Sequence, residues 1–441
     1  MQDSKERRGE NAWPGGRLEN MAAVNPWGFP GPDRRERRRQ SDITEGEVMD
    51  SLQWFHIRAA LALVGLILMT VIVGCSEPLV FADWTIPVPE GTRIVEYADV
   101  PLEERDGRIE LGEDLVIGPR GEDPNYLFYQ PQGVAVDAAG RMYVAERGNK
   151  RVQVFSAEGE HVRTLGREGQ GPGEFEFPAG LTVVGNFLLV HDWNSRRLSI
   201  WEVDGDHLGD LPLSDRLEQR IFGTGDGSFV GATGRRLEDR SRVIDVALYS
   251  IEGTETVRYT SLLEPDQFMI MGEGGGMVIP QLSGGPSFTA SASGVVYATA
   301  GEQYQVLAFE PSGSLRWALR VARPAQAFGQ EHKDAVLDPI RDRFQDIGEM
   351  QLDWPAFLHT LGRLAVDGHG HVYVFPYVFR DMGPDERVEV YSPDGERLFA
   401  GTMSERGWSA ARGDFVYSMR SNPATEEGEL VRYRLVEPFD E

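Results

Sequence analysis

The chain has 441 residues, 41% of them hydrophobic and 26% charged, and its 44 Lys and Arg against 70 Asp and Glu leave a formal net charge of −26 at pH 7. The first 75 residues hold equal numbers of basic and acidic side chains, so the whole imbalance falls on residues 76–441. A surface that acidic repels nucleic acid and anionic headgroups, which excludes nucleic acid as a partner, and a lone cysteine, Cys75, excludes an internal disulfide.

Residues 1–48 show no helical or strand period; they hold the Pro/Gly-rich stretch Asn25–Pro32 and the charge run Asp33–Arg39. They read as a disordered extension or as residues upstream of a true start at Met49. Residues 49–75 have the shape of a secretory signal: Arg58, an apolar run from Ala59 to Val73, then Gly74 and Cys75. The run is shorter than the roughly 20 residues a membrane span needs, although an uncleaved anchor and a buried core helix are the competing readings. The residues Ile72, Val73, Gly74 and Cys75 resemble a bacterial lipobox. That resemblance implies lipidation of Cys75, cleavage before it, and a mature chain held outside the cytoplasm on a membrane. Ser76 in the next position implies sorting to the outer membrane. Residues 76–91 read as a linker.

A repeat begins after it. In Pro131–Gly159, short alternating segments Val134–Val136, Met142–Ala145 and Val152–Phe155 are rich in β-branched and aromatic residues. They are separated by Asp137 and Gly140 and by a polar loop, which predicts three antiparallel strands, with His161–Leu165 as a fourth. Pro178–Val183 and Val190–Trp201 repeat this pattern, so that Glu146 matches Asp192 and Arg151 matches Arg197. Phe288–Gly313 and Leu364–Gly395 repeat it again, and weaker copies start at Gly227 and Trp408. Six four-stranded units close radially into a β-propeller, which hides strand edges that separate sheets would expose. The copies resemble NHL repeats, and the whole resembles the six-bladed propellers found among bacterial lipoproteins. The expected fold class is therefore all-β, a six-bladed β-propeller of four-stranded antiparallel blades spanning 92–437. The strand Thr92–Tyr97 is expected to join the sixth blade and clasp the ring.

Two stretches break the spacing. Residues 252–286 read as a glycine-rich loop, and 322–358 carry a helical period in Val336, Ile340, Phe344 and Ile347. On an antiparallel blade, the loop between the second and third strands and the loop into the next blade leave on one face. That face carries the candidate ligand-binding residues Glu146, Arg147, His191, Asp192, Trp193 and Arg196. The competing reading makes Glu146, Asp192, Arg151 and Arg197 internal braces. His369 and His371 flank a turn with Asp367 and Gly370, which reads as hairpin geometry rather than as a metal site. The inner strands carry no acid or histidine, and no phosphate loop or nucleophile elbow is present, so neither metal nor cofactor is expected. The expected function is that of a monomeric, lipid-anchored binding module for a protein or a small or saccharide ligand. A propeller enzyme of lactonase, lyase or hydrolase type is the alternative, and a part of an envelope complex, contacted through 322–358, is a third reading.

Overall fold

The structure, a computed structural model, describes residues 86–436 other than 101–106, 214–216, 239–241, 265–269, 272–276, 279–284, 325, 339–353, 355, 378–385, 405–407 and 423–426. Cys75, the apolar run and the leading 48 residues lie outside the described residues. All described residues fall in the compact unit Pro78–Glu441.

Six sheets of four or five strands succeed one another along the chain, with a two-stranded pair, Ile270–Met271 and Met277–Val278, between the third and the fourth. Blade 1 is Pro131–Val136, Met142–Glu146, Arg151–Phe155 and His161–Leu165. Blade 2 is Pro178–Val184, Phe187–Asp192, Arg197–Glu202 and His207–Pro212. Blade 3 runs from Phe222–Gly223 through Ser228–Arg236 and Arg242–Ser250 to Glu255–Glu264. Blade 4 contains Ser287–Ala290, Val296–Thr299, Gln305–Phe309 and Leu315–Ala322. Blade 5 contains Leu361–Val366, Val372–Pro376, Glu386–Tyr391 and Arg397–Met403. Blade 6 takes Ala410–Arg412, Phe415–Ser421 and Gly428–Leu435 from the end of the chain. Within each blade these strands pair antiparallel in sequence order, and the first strands of blades 6, 1, 2, 3, 4 and 5 touch in that succession.

The apolar periodicity explains how the blades stack. Both faces of a blade are buried, so Met142, Tyr143, Val144 and Ala145 are all fully buried in succession. Met142 and Val144 face blade 6, whereas Tyr143 and Ala145 face blade 2. Apolar side chains gather in six such clusters, one per seam between blades. Each fully buried large side chain contributes about 1.5–3 kcal/mol, and the seams are where that burial accrues. Trp317 and Trp408, buried in two seams, donate their indole N–H to Pro393 O (3.0 Å) and Val366 O (3.1 Å).

The ring closes through Leu111–Ile117, the fourth strand of blade 6, paired antiparallel with Gly428–Leu435. This corrects the expectation for Thr92–Tyr97. Arg93–Ala98 instead adds a fifth strand to blade 4, parallel to Leu315–Ala322, and Arg108–Ile109 adds one to blade 5. Before the closing strand, the chain thus lies along the outer edges of two consecutive blades. Ile86, within the expected linker, exchanges hydrogen bonds with the Gln305 side chain and packs with Val88 against the seam of blades 3 and 4.

The two insertions also differ from expectation. Glu255–Glu264, read as loop, is the ten-residue outer strand of blade 3. Within 322–358 a helix covers Gln330–Leu337, with Val336 buried as its period requires; Ile340, Phe344 and Ile347 lie outside the described residues. His332 Nδ1 accepts the Gly329 N–H (3.0 Å) at the start of that helix, and Phe328 stacks on both His332 and Trp354.

Candidate functional site

The signature acids point inward. Glu146 is fully buried, and its Oε1 accepts the Tyr129 N–H and the Asn149 side-chain N–H, both at 2.8 Å, while Oε2 accepts Arg151 Nε at 2.5 Å. Arg151 in turn donates to Pro124 O (2.7 Å) and Leu127 O (3.4 Å). Blade 2 repeats the arrangement. Asp192 accepts the N–H groups of Glu176 (2.8 Å) and Phe177 (2.9 Å), and Arg197 donates to Gln170 O (3.1 Å) and to Glu174 O. Each acid–arginine pair therefore clamps the loop arriving from the preceding blade, the acid taking its amides and the arginine its carbonyls. The two carboxylates are thus spent on contacts inside the fold.

The glycine-rich loop 166–175 is held the same way. Gly171 N donates to Glu174 Oε2 (2.8 Å), Gly173 N donates to Asp210 Oδ2 (3.2 Å), and Phe175 is fully buried in the seam of blades 1 and 2. At the opposite face, Asp137 Oδ1 accepts the N–H groups of Ala139 and Arg141, and Arg141 Nε reaches Oδ2 at 2.6 Å. Asp367 does the same for His369 and His371, and His371 Nδ1 lies 2.9 Å from Asp367 Oδ2. His371 thus takes the place of Arg141 in the turn, while His369 Nε2 lies 3.0 Å from Asp414 Oδ1.

The remaining candidates separate into buried and open groups. His191 is fully buried on the strand Phe187–Asp192, with its ring 5.9 Å from that of Trp193. Arg147, exposed, lays its guanidinium 4.5 Å above the Phe177 ring and so reaches from blade 1 to blade 2. Arg196 is exposed at φ 49°, matching Lys150 at φ 54° in the equivalent turn of blade 1. Tyr129, 58% exposed, lies beside them on the same face.

Sequence reasoning missed three residues on blades 3, 4 and 5. Arg220 precedes the inner strand of blade 3 at the position that Gly133 and Gly180 hold in blades 1 and 2. The register comes from the turns, since Thr224 donates its N–H to Ser228 O as Asp137 donates to Arg141 O, and Arg220 and Gly133 precede them by the same spacing. At Gly180 a Cβ would come 1.9 Å from Gln219 O, which explains the glycine. Arg220 is exposed, yet the protein mass around it desolvates its guanidinium and lowers its pKa. Glu302 succeeds Gly301 in the loop between the second and third strands of blade 4, and burial raises its pKa. His359 leads into the inner strand of blade 5; burial pushes its pKa down to about 4, and its Nδ1 is buried with no hydrogen-bond partner. The neighbouring Thr360 and Leu361 both donate their N–H to Gly301 O, at 2.9 and 3.0 Å, which brings the backbone of His359 beside that of Glu302. Among the described residues, none of the three side chains makes a hydrogen bond or an ion pair. The only available signal was Arg220 standing in a glycine position, and it lies in a weak copy of the repeat.

A family model described as NHL repeat matches residues 128–155, the core of blade 1. NHL repeat-containing protein 3 of Homo sapiens is 33% identical over 124 residues, covering 25% of this chain and 34% of that protein. The Mus musculus protein of the same name is 36% identical over 99 residues, covering 21% and 27%. The chain thus spans about a third or less of the length of these curated relatives. Among solved structures, a putative exported protein from Bacteroides fragilis aligns with a TM-score of 0.42 at 10% identity, over 78% of this chain and 99% of that one. Virginiamycin B lyase from Staphylococcus aureus aligns with a TM-score of 0.38 at 10% identity, over 73% and 99%. With six four-stranded blades and a matched repeat, the chain is a six-bladed β-propeller with NHL-like repeats.

Proposed function

We propose that this β-propeller is an extracytoplasmic binding module, tethered to the outer membrane through lipid on Cys75, whose ligand sits against Arg220, Glu302 and His359. One observation carries the site. Three titratable side chains from consecutive blades, the partly buried Glu302 and His359 and the exposed Arg220, are desolvated by the surrounding protein and make no hydrogen bond or ion pair among the described residues. The acids of the clamps differ in this respect, since Glu146 and Asp192 are satisfied by backbone amides, and Glu146 also by Arg151. Arg147, Trp193 and Arg196 lie on the same face over blades 1 and 2 and supply aromatic and cationic contacts for the edge of a ligand. The test is a thermal-shift screen of small ligands against the mature chain and against Arg220→Gln, Glu302→Gln and His359→Asn. Hits that vanish in these variants support the site, and hits indifferent to all three refute it. Cys75→Ser tests the anchor, since it should release the protein from the membrane fraction.

The adjacency of Glu302 and His359 favours an enzyme as the second reading. A carboxyl shifted toward protonation beside an imidazole kept neutral is a general acid–base pair in form. Turnover of a bound ligand that is abolished in Glu302→Gln and His359→Asn, with binding retained, would establish it.

A further inference from the structure

On the opposite face of the ring, where the turns between first and second strands lie, we infer a second binding site: the crevice between blades 3 and 4 takes an alkylguanidinium group from outside the chain. The seam between blades 1 and 2 holds such a group of its own. There Arg141 Nε lies 2.6 Å from Asp137 Oδ2, and Nη1 donates across the seam to Asp204 Oδ1 at 2.9 Å. Tyr143 OH donates to Val203 O (3.1 Å) beside it. The turn of blade 3 repeats the backbone hydrogen bonds of blade 1, so that Thr224, Asp226 and Ser228 stand where blade 1 has Asp137, Ala139 and Arg141. On blade 4, Glu310 and Gly313 donate to Ser314 O and Glu310 O as Glu202 and Gly205 donate to Asp206 O and Glu202 O on blade 2. Pro311 therefore stands in the place of Val203, and Tyr259 OH donates to its carbonyl (3.4 Å).

Serine in the place of arginine leaves that space open. A crevice of about 310 Å³ remains, lined by Thr224, Asp226, Leu248, Ser293, Gly294 and Pro311, at the small end of the range for ligand sites. Its walls are the turns of two blades, joined by the Gly225 N–H to Ala292 O (3.0 Å). The Thr224 hydroxyl and the Ser228 N–H donate to Asp226 Oδ1 at 2.6 and 3.1 Å and fix the carboxylate in its turn. The acid has thus moved two residues along from the position of Asp137 and still lines the space. A guanidinium fits that lining, because its N–H fork meets the carboxylate and the Ser293 hydroxyl while the alkyl stem packs on the buried Leu248 and on Pro311. The net charge of −26 draws a cation toward the ring and repels an anion.

Titration of the purified protein at pH 7 with Nα-acetylarginine amide decides this. The citrulline analogue, of the same shape without the charge, and the lysine analogue serve as controls. The arginine compound should bind at least roughly tenfold more tightly than the citrulline compound, and more tightly than the lysine compound. Asp226→Asn keeps the Oδ1 acceptor of the turn and should weaken binding roughly tenfold. Ser228→Arg supplies the side chain that blade 1 carries, so it should abolish binding and melt no lower than the parent. Ser293→Trp, at an exposed position on the crevice wall, should block the site independently of that turn. Agmatine binding more tightly than the blocked arginine assigns a free guanidino compound, and the reverse order assigns an arginine side chain of a peptide. Failure of the arginine compound to bind, or binding that survives both Ser228→Arg and Ser293→Trp, overturns the site. Citrulline or lysine compounds binding as tightly as the arginine compound overturn the guanidinium assignment.

Discussion

Protonation of His359 should be a measurable liability of the fold. Burial holds its imidazole neutral down to about pH 4, against an ordinary value of 6.5. The folded pKa is depressed, so between these values the unfolded chain binds a proton that the folded chain does not, and stability must rise with pH across that window. The neutral-imidazole advantage is complete above about pH 6.5 and is lost as pH falls toward 4. A gap of 2.5 units at about 1.4 kcal/mol per unit corresponds to roughly 3 kcal/mol in full, of which roughly 2.5 kcal/mol is lost by pH 4.5. Urea unfolding monitored by tryptophan fluorescence, at pH 7.5 and 4.5, gives the loss for the parent and for His359→Gln. Other groups titrate in the same range, including His161, also lowered by burial, and Asp210, Asp226 and Asp245, held low by their hydrogen bonds and ion pairs. These lose stability equally in both proteins, so the difference of the two losses isolates His359. Glu302 alongside titrates in both as well, and its raised value moves the carboxyl the opposite way. Parallel losses in parent and variant would refute the burial argument.

The packing sets three further outcomes. Arg151→Ala should cost about 3–5 kcal/mol by equilibrium unfolding, because it leaves the fully buried Glu146 carboxylate without its counter-charge; a cost below about 1 kcal/mol would show that the amide donors suffice. Deleting residues through Ile117 should abolish the cooperative unfolding transition, since blade 6 then lacks its fourth strand and the ring stays open; a sharp transition in the truncated protein would remove the closure role of Leu111–Ile117. Gly166→Ala should destabilise by about 1–3 kcal/mol in thermal unfolding, because φ is +70° and an added Cβ would come 2.3 Å from the Phe175 ring; a melting point equal to that of the parent would contradict the loop geometry.

The repeat copies were legible because each blade buries both faces, and that demand prints itself as unbroken apolar runs such as Met142–Ala145 between Asp/Gly turns. The clamps were half legible. Glu146 and Arg151 recur as Asp192 and Arg197, but recurrence alone suits a brace and a ligand contact equally, and their loop amides and carbonyls are set by the preceding blade. The partner of Arg93–Ala98 is not legible in the sequence for a related reason. An alternating segment fits any open sheet edge, and its place is chosen by contacts far along the chain: Tyr97 OH donates to Gly395 O (3.2 Å) and accepts from Arg397 N (2.9 Å), and Arg323 bonds Asp99 at 2.6 Å.

Composition, periodicity and turn chemistry thus sufficed for the strand class, the number of blades and their order, since each is dictated by the local burial pattern of the segment itself. The ligand-site candidates Arg220, Glu302 and His359 carry no such pattern. They stand on three different blades, and only the packing of blade 5 on blade 4 brings Glu302 beside His359, through the carbonyl of Gly301. Desolvation and the lack of a partner are properties of everything surrounding a side chain, so they come into being with the folded ring and leave no mark on the neighbouring residues in the chain.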